Sequence, residues 1–261
     1  MAFSIHPYPM KIQYCSDLHL EFKENAKYIA RHPIEPVSDV LLLAGDITLL
    51  NNIDQHKDFF DYLSRSFAYT YWIPGNHEYY RSDIAEFRSP LKMDIRHNVF
   101  LVNQKVITHD DVSIICCTLW SHISPENEYE IQRSLSDFHI IQNQGKRLTV
   151  TDFNSMHQQD LAFLRSALKE DEDKKKIILT HHVPTLMNYP KRYINSPINQ
   201  AFTTELHDLV LTSHAAAWIY GHHHSNTPEF IIGKTTLHTN QLGYVSHYEY
   251  GDYRKNACIV V

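Results

Sequence analysis

Residues 39–46 read DVLLLAGD: five consecutive apolar residues running into Gly45 and Asp46. A strand with one wet face alternates apolar and polar residues, so an unbroken run is what a strand covered on both faces requires. The same signature recurs at 10–17 (MKIQYCSD), 68–76 (AYTYWIPGN), 98–104 (NVFLVNQ) and 112–120 (VSIICCTLW). It returns at 175–182 (KKIILTHH), 215–224 (AAAWIYGHHH), 229–240 (EFIIGKTTLHTN) and 256–261 (NACIVV), while 105–111 (KVITHDD) is placed to form a hairpin with its neighbour. Helical spacing separates these runs. Ile53, Phe59, Phe60, Leu63 and Phe67 fall near one face of a helix over 51–67; Leu161, Leu164 and Leu168 mark another over 152–170; 203–213 is a shorter candidate. Strand–helix alternation in the first half, with strands dominating the end, predicts an α/β sandwich of two layered sheets with helices outside.

The chain has 261 residues, 43% hydrophobic and 21% charged, with no internal repeat, low-complexity tract or Gly/Ser linker, so one globular domain over 1–261 is expected. The segments 121–148 and 183–202 are polar, carry aromatics and show little periodicity; they read as long loops or a cap. A net charge of -6 does not advertise a binder of long nucleic acid. No apolar run approaches the ~20 residues of a membrane helix, and MAFSIHPYP at the start lacks the regions of a secretory signal. Four cysteines without a CxxC pair suit buried thiols in a reducing cytoplasm. The charge run at 169–176, KEDEDKKK, reads as a solvated helix end and turn.

Histidine is over-used, at 19 residues, and its placement is ordered. The first strand exits through Asp17-Leu18-His19, the second through Gly45-Asp46, the third through Gly75-Asn76-His77-Glu78, a later one through His181-His182 and another through Gly221-His222-His223-His224. Ligands of layered α/β proteins sit outside strand ends. None of these exits offers Lys or Arg. Carboxylates and imidazole lone pairs gathered without a cation repel or lose hydration, and metal ions resolve both costs. In extended chain i and i+2 face one side, which pairs Asp17 with His19 and His222 with His224. The glycines before Asp46, Asn76 and His222 suit sharp turns close to an ion. Asp17, His19, Asp46, Asn76, His181, His222 and His224 are seven candidate ligands, more than one ion uses, so two ions sharing a carboxylate are expected. Mixed N and O donors without thiolate suit Mn²⁺, Fe, Zn²⁺, Co²⁺ or Ni²⁺ rather than Mg²⁺ or Ca²⁺ alone. A pair of ions ~4 Å apart is the usual arrangement for hydrolysing phosphate esters.

DLH, GD, GNHE, HH and GHHH in this order resemble the calcineurin-like metallophosphoesterase family, over residues 15 to about 224. One such block alone carries little; five in order at strand exits are specific. The resemblance implies a four-layer α/β/β/α sandwich of two mixed sheets flanked by helices, with a dinuclear site between the sheets. It implies that Asp17, His19 and His224 hold one metal, that Asn76, His181 and His222 hold the other, and that Asp46 bridges. It further implies a bridging water or hydroxide as nucleophile. His77 would stand beside the metals as the catalytic group that protonates the leaving oxygen or stabilises transition-state charge. The family's protein Ser/Thr phosphatases carry Arg before GNHE and an extended GDxxDRG block; here Pro74 precedes Gly75 and Asp46 runs into Ile47-Thr48-Leu49, so the chain is more similar to small bacterial or phage-type members opening with SDLHLEF. The expected partner is a small phosphomonoester or phosphodiester, a nucleotide among the options. A nuclease would want a basic, aromatic-lined groove, and a non-catalytic scaffold would tend to lose ligands or His77. Tyr79, Tyr80 and Arg81, Trp120 and His122, and Lys191, Arg192 and Tyr193 are placed either to touch substrate or to serve as ordinary surface or loop residues.

Overall fold

The computed structural model describes residues 9–170 and 173–261; most of the N-terminal segment and two residues of the charge run lie outside them. Among the described residues the two large sheets have six strands each. The first holds β1 (Lys11–Cys15), β2 (Val40–Leu43), β3 (Tyr69–Trp72), β4 (Leu91–Arg96), β5 (Val99–Asn103) and β14 (Cys258–Val260), in the order β14-β1-β2-β3-β5-β4. The second holds β6 (Lys105–His109), β7 (Val112–Cys116), β10 (Lys175–Leu179), β11 (Ala217–Tyr220), β12 (Phe230–Ile232) and β13 (Thr235–Thr239), in the order β12-β13-β11-β10-β7-β6. A two-stranded ribbon, β8 (Gln142–Asn143) with β9 (Lys146–Arg147), stands apart.

Both large sheets follow one plan. Four parallel strands form the centre (β1, β2, β3, β5; and β7, β10, β11, β13), and an antiparallel strand closes each edge. These are the two mixed sheets expected. The apolar run at 40–44 is thereby explained: Val40, Leu42 and Ala44 pack with Ile114, Ile177 and Ile219 of the other sheet, whereas Leu41 and Leu43 pack with Phe60 and Leu63 outside. Both faces of the strand are dry. Helices α1 (Lys23–Arg31) and α2 (Lys57–Ser66) bury Ile29, Phe60 and Leu63 on the first sheet, and α5 (Val150–Ala167) and α6 (His207–Ser213) bury Leu164, Ala167 and Val210 on the second. Helices on both outsides complete four layers. Thr149 begins α5 with a reciprocal cap, its hydroxyl accepting from the Asp152 N–H while Asp152 accepts from the Thr149 N–H.

Several sequence expectations need correction. The 121–148 segment is not a plain loop: it contains α3 (Pro125–Ser134), α4 (Asp137–Ile140) and the ribbon. α3 buries only Ile131, so it leaves no apolar stripe in the sequence. In contrast 183–202 is loop apart from one short 3₁₀ turn, Asn199–Ala201. Residues 229–240 form two antiparallel strands, not one, because Gly233 takes φ +62° and reverses the chain. The helix over 51–67 starts as a 3₁₀ segment, Leu50–His56, before α2. No helix among the described residues is long and apolar enough to cross a membrane.

Candidate metal centre

The C-terminal ends of β1, β2, β3, β10 and β11 converge and bring all seven candidate ligands together. Two sets of ligand atoms form, each within 4.8 Å of one another: Asp17, His19, Asp46 and His224; and Asp46, His181 and His222. Asp46 belongs to both. Its Oδ2 lies 3.7 Å from His19 Nε2 and its Oδ1 3.4 Å from His181 Nε2. His19 Nε2 is 2.9 Å from His224 Nε2, which is 3.3 Å from Asp17 Oδ1. On the other side His181 Nε2 is 3.0 Å from His222 Nδ1 and 3.3 Å from Asn76 Oδ1.

The outer hydrogen bonds decide which atoms point inward. Each of the four imidazoles has its far nitrogen on an oxygen: His19 Nδ1 on Glu21 (3.1 Å), His224 Nδ1 on Glu249 (2.9 Å), His181 Nδ1 on the Ala44 carbonyl (2.8 Å) and His222 Nε2 on the Ala201 carbonyl (3.3 Å). An oxygen acceptor calls for N–H on that nitrogen, so the inward nitrogen carries a lone pair. Asn76 follows the same rule. Its Nδ2 donates to Asp137 Oδ1 (2.9 Å) and the Tyr80 hydroxyl (3.2 Å), leaving its oxygen inward. Pairs of imidazole lone pairs then face one another at 2.9 and 3.0 Å, an arrangement that a cation between them relieves. The donor set therefore fits divalent metal ions. Without a metal a proton can take the cation's place: burial alone would depress His224, yet the Asp17 and Glu249 carboxylates raise it to about 10. Burial alone would raise Asp46, yet His181 and His77 hold it well below the usual carboxylate value. The pocket favours positive charge.

The pairing of i with i+2 holds for Asp17 and His19, which share a set, but not for His222 and His224, which fall in different sets, and its cause differs from the one expected. Asp17, His19, Asp46, His222 and His224 all have positive φ, between 47° and 80°. The strands have ended, and alternate residues turn into the left-handed region while the loops after β1 and β2 stay zipped by Asp17 N–H to Gly45 O and His19 N–H to Asp46 O. Such conformations cost roughly 1–3 kcal/mol each in a non-glycine residue and persist where the surroundings hold them. The glycines, too, act differently. Gly45 is in the left-handed region at φ +89°, as a turn would need. Gly75 and Gly221 are not; they make room. A Cβ on Gly75 would lie 2.2 Å from Asp46 Oδ1, and one on Gly221 2.6 Å from Asp17 Oδ2.

Glu78 ties the loops together. Its Oε2 accepts from the Asp46 and Gly75 N–H groups and its Oε1 from the Ile47 N–H and Trp72 Nε1. Burial and the nearby Asp46 charge push its carboxyl up to about 8. Four donors leave a carboxyl proton nowhere to point, and the geometry favours the carboxylate.

His77 stands beside the donors. Its Nδ1 is 2.8 Å from Glu21 Oε1, its ring stacks on Tyr80 at 4.1 Å, and its Nε2 is 3.3 Å from the Tyr244 hydroxyl. His223 turns aside, its Nδ1 accepting from Gln241 Nε2 and the Ser225 N–H. His182 packs on His222 at 4.2 Å, and both its ring nitrogens are buried without a hydrogen-bond partner among the described residues. Tyr79 and Trp120 are core residues and do not face the site. Tyr80 and Tyr193 line a cavity of about 340 Å³ over the donors, together with Asp46, Asn76, His77 and His222; His122, Arg81, Lys191 and Arg192 do not line it. Glu21, Asp137, Tyr244 and Glu249 were not singled out from the sequence. Glu21 alone left a signal, since it extends the alternation Asp17, His19 by two residues.

Comparison with known proteins agrees with this architecture. The protein is 35% identical to Uncharacterized protein L509 of Acanthamoeba polyphaga mimivirus over 260 residues, 89% of this chain and 91% of that one. Its fold is similar to that of a phosphopantetheinyl hydrolase from Mycobacterium tuberculosis, with a TM-score of 0.71 at 18% identity, covering 97% of this chain and 96% of the other. A family model described as calcineurin-like phosphoesterase matches residues 10–226. With a match across most of its length, the chain belongs to the calcineurin-like phosphoesterase family.

Proposed function

We propose that the protein hydrolyses a small phosphate ester, monoester or diester, with two divalent transition metal ions held by Asp17, His19 and His224 on one side, Asn76, His181 and His222 on the other, and Asp46 between. The observation that carries this reading is the division of Asp46, one carboxylate oxygen toward His19 and the other toward His181. When bound, two such ions polarise a phosphoryl oxygen and acidify water for attack, with Mn²⁺, Fe, Zn²⁺, Co²⁺ and Ni²⁺ all suited to the donors.

The remaining work belongs to the chain. Glu21 accepts from His77 Nδ1–H; burial alone would lower this imidazole, yet the Asp46 and Glu21 carboxylates raise it, which favours the imidazolium, whose second proton on Nε2 is the one offered to the departing oxygen. Tyr80, stacked on the imidazole, fixes its plane. Asp137 holds Asn76 with the amide oxygen inward. A cavity of about 340 Å³ is of a size that a small ester fills, which supports the small-substrate reading.

The test is turnover of p-nitrophenyl phosphate and bis-p-nitrophenyl phosphate by Mn²⁺-loaded protein, with bound metal counted on the same sample. Two tight ions with turnover support the reading; tight binding without turnover of any ester favours a scaffold. His77→Ala is expected to keep both ions and lose on the order of 10²-fold or more in rate. Undiminished turnover in that variant would remove His77 from the mechanism.

A further inference from the structure

The cavity over the donors has two unlike parts. Toward the strand ends it presents Asp46, Asn76, His222 and His224. Elsewhere a group of rings, Tyr189, Tyr193 and Phe202 from the loop 183–202 and Tyr244 from the segment after β13, stands among small polar residues, Ser134, Ser136 and Ser196. Phe202 stacks directly on His222, 4.5 Å between ring centres, so the apolar wall begins where the donors end. Asn199, a polar side chain among the rings, is engaged by the Tyr193 carbonyl and the Tyr189 hydroxyl.

Charge is distributed just as unevenly. Among the described residues no Lys or Arg lines the cavity, while Asp137 and Glu249 do. Arg192, outside the lining, is exposed and lies over the Tyr193 ring at 4.5 Å with Nη2 donating to the His224 carbonyl at 3.3 Å. It holds Tyr193 in place from outside the lining.

A phosphate group seated at the donor end puts the alcohol half of its ester against the rings. Burying a flat apolar group there is favourable, at roughly 25 cal/mol per Å², and gains further from ring stacking. A second anion on that half would meet the Asp137 and Glu249 carboxylates in a wall without Lys or Arg. We infer that the cavity selects phosphate esters whose alcohol half is an uncharged aromatic group, and discriminates against a second negative charge. This rests on the phosphoesterase reading and adds the substrate class to it. The reaction is unchanged: water adds to phosphorus, the ester P–O bond breaks, and the alcohol leaves with a proton.

Three esters of primary alcohols isolate the effect, because the bond broken is chemically alike in each: ethyl, benzyl and 4-carboxybenzyl phosphate. With Mn²⁺-loaded protein, kcat/KM for benzyl phosphate is expected to exceed that for ethyl phosphate by ~10-fold or more, and 4-carboxybenzyl phosphate to fall back toward ethyl phosphate. Phe202→Ala and Tyr193→Ala should each move the benzyl-to-ethyl ratio toward one; a ratio within one preparation is insensitive to the fraction folded, and Tyr193→Leu replaces either variant that cannot be made. Calorimetric binding of benzylphosphonate against ethylphosphonate should show the same order without turnover. A parent ratio near one, ratios unmoved in the variants, or a carboxylated ester as good as the plain one would each overturn the selectivity while leaving the phosphoesterase reading intact. No turnover of any ester with both ions bound would instead remove that reading, and this inference with it.

Discussion

Glu21 Oε1 sits 2.8 Å from His77 Nδ1 and, through the same oxygen, 3.1 Å from His19 Nδ1, so one carboxylate oxygen orients both a candidate metal ligand and the candidate acid. Its other oxygen is buried without a partner among the described residues. Glu21→Ala should weaken the ion on the His19 side by 10–100-fold, read by chelator competition, and lower kcat as well. Glu21→Gln keeps an oxygen for both N–H groups and puts its amide nitrogen where no bond is lost, so it should recover most of both. A glutamine variant as impaired as the alanine one would show that charge, not orientation, is what Glu21 supplies.

Gly75 is a matter of space alone, since its φ lies outside the left-handed region. A methyl there would meet Asp46 Oδ1 at 2.2 Å and the His181 ring at 2.7 Å. Gly75→Ala is therefore expected to destabilise the protein by ~1–3 kcal/mol in chemical denaturation and to lower metal occupancy and turnover sharply. Gly251→Ala, with nothing within 4 Å, serves as the silent control. Full metal occupancy in Gly75→Ala would mean that the donors do not need the crowding observed.

Asp160 carries the pH signature of the apo protein away from the donors. Burial raises its carboxyl to about 6, against weaker opposing hydrogen bonds from Gln104 and the backbone of Trp120 and Leu119. A carboxyl raised in the folded state contributes most when protonated, below the unfolded value near 4, and that contribution is lost as pH climbs through about 6. Relative to Asp160→Asn, the parent should lose ~3 kcal/mol between pH 4 and pH 7, both measured by denaturant titration with EDTA present. A difference independent of pH contradicts the buried, raised carboxyl.

The donors were legible because each abuts an apolar run: a strand exit is visible wherever hydrophobic residues stop, and Asp17, Asp46, Asn76, His181 and His222 all stand within three residues of such a stop. What orients them was not. Glu249 lies 25 residues from His224, Glu21 56 from His77, and Asp137 61 from Asn76, so folding alone brings them together. The left-handed backbone at Asp17 and His19 also left no trace, since neither position is glycine. α1 was overlooked for the reason α3 was: few of its residues are buried, Asn25 and Ile29 among nine.

A dinuclear centre requires Asp46 to join two ions. Metal content after equilibrium dialysis against Mn²⁺, parent beside Asp46→Ala, tests it most directly. Two ions per chain in the parent and depletion at both positions in the variant are the predicted result. A parent that retains a single ion, or an Asp46→Ala protein that gives up one and keeps the other at parental affinity, would contradict a shared centre.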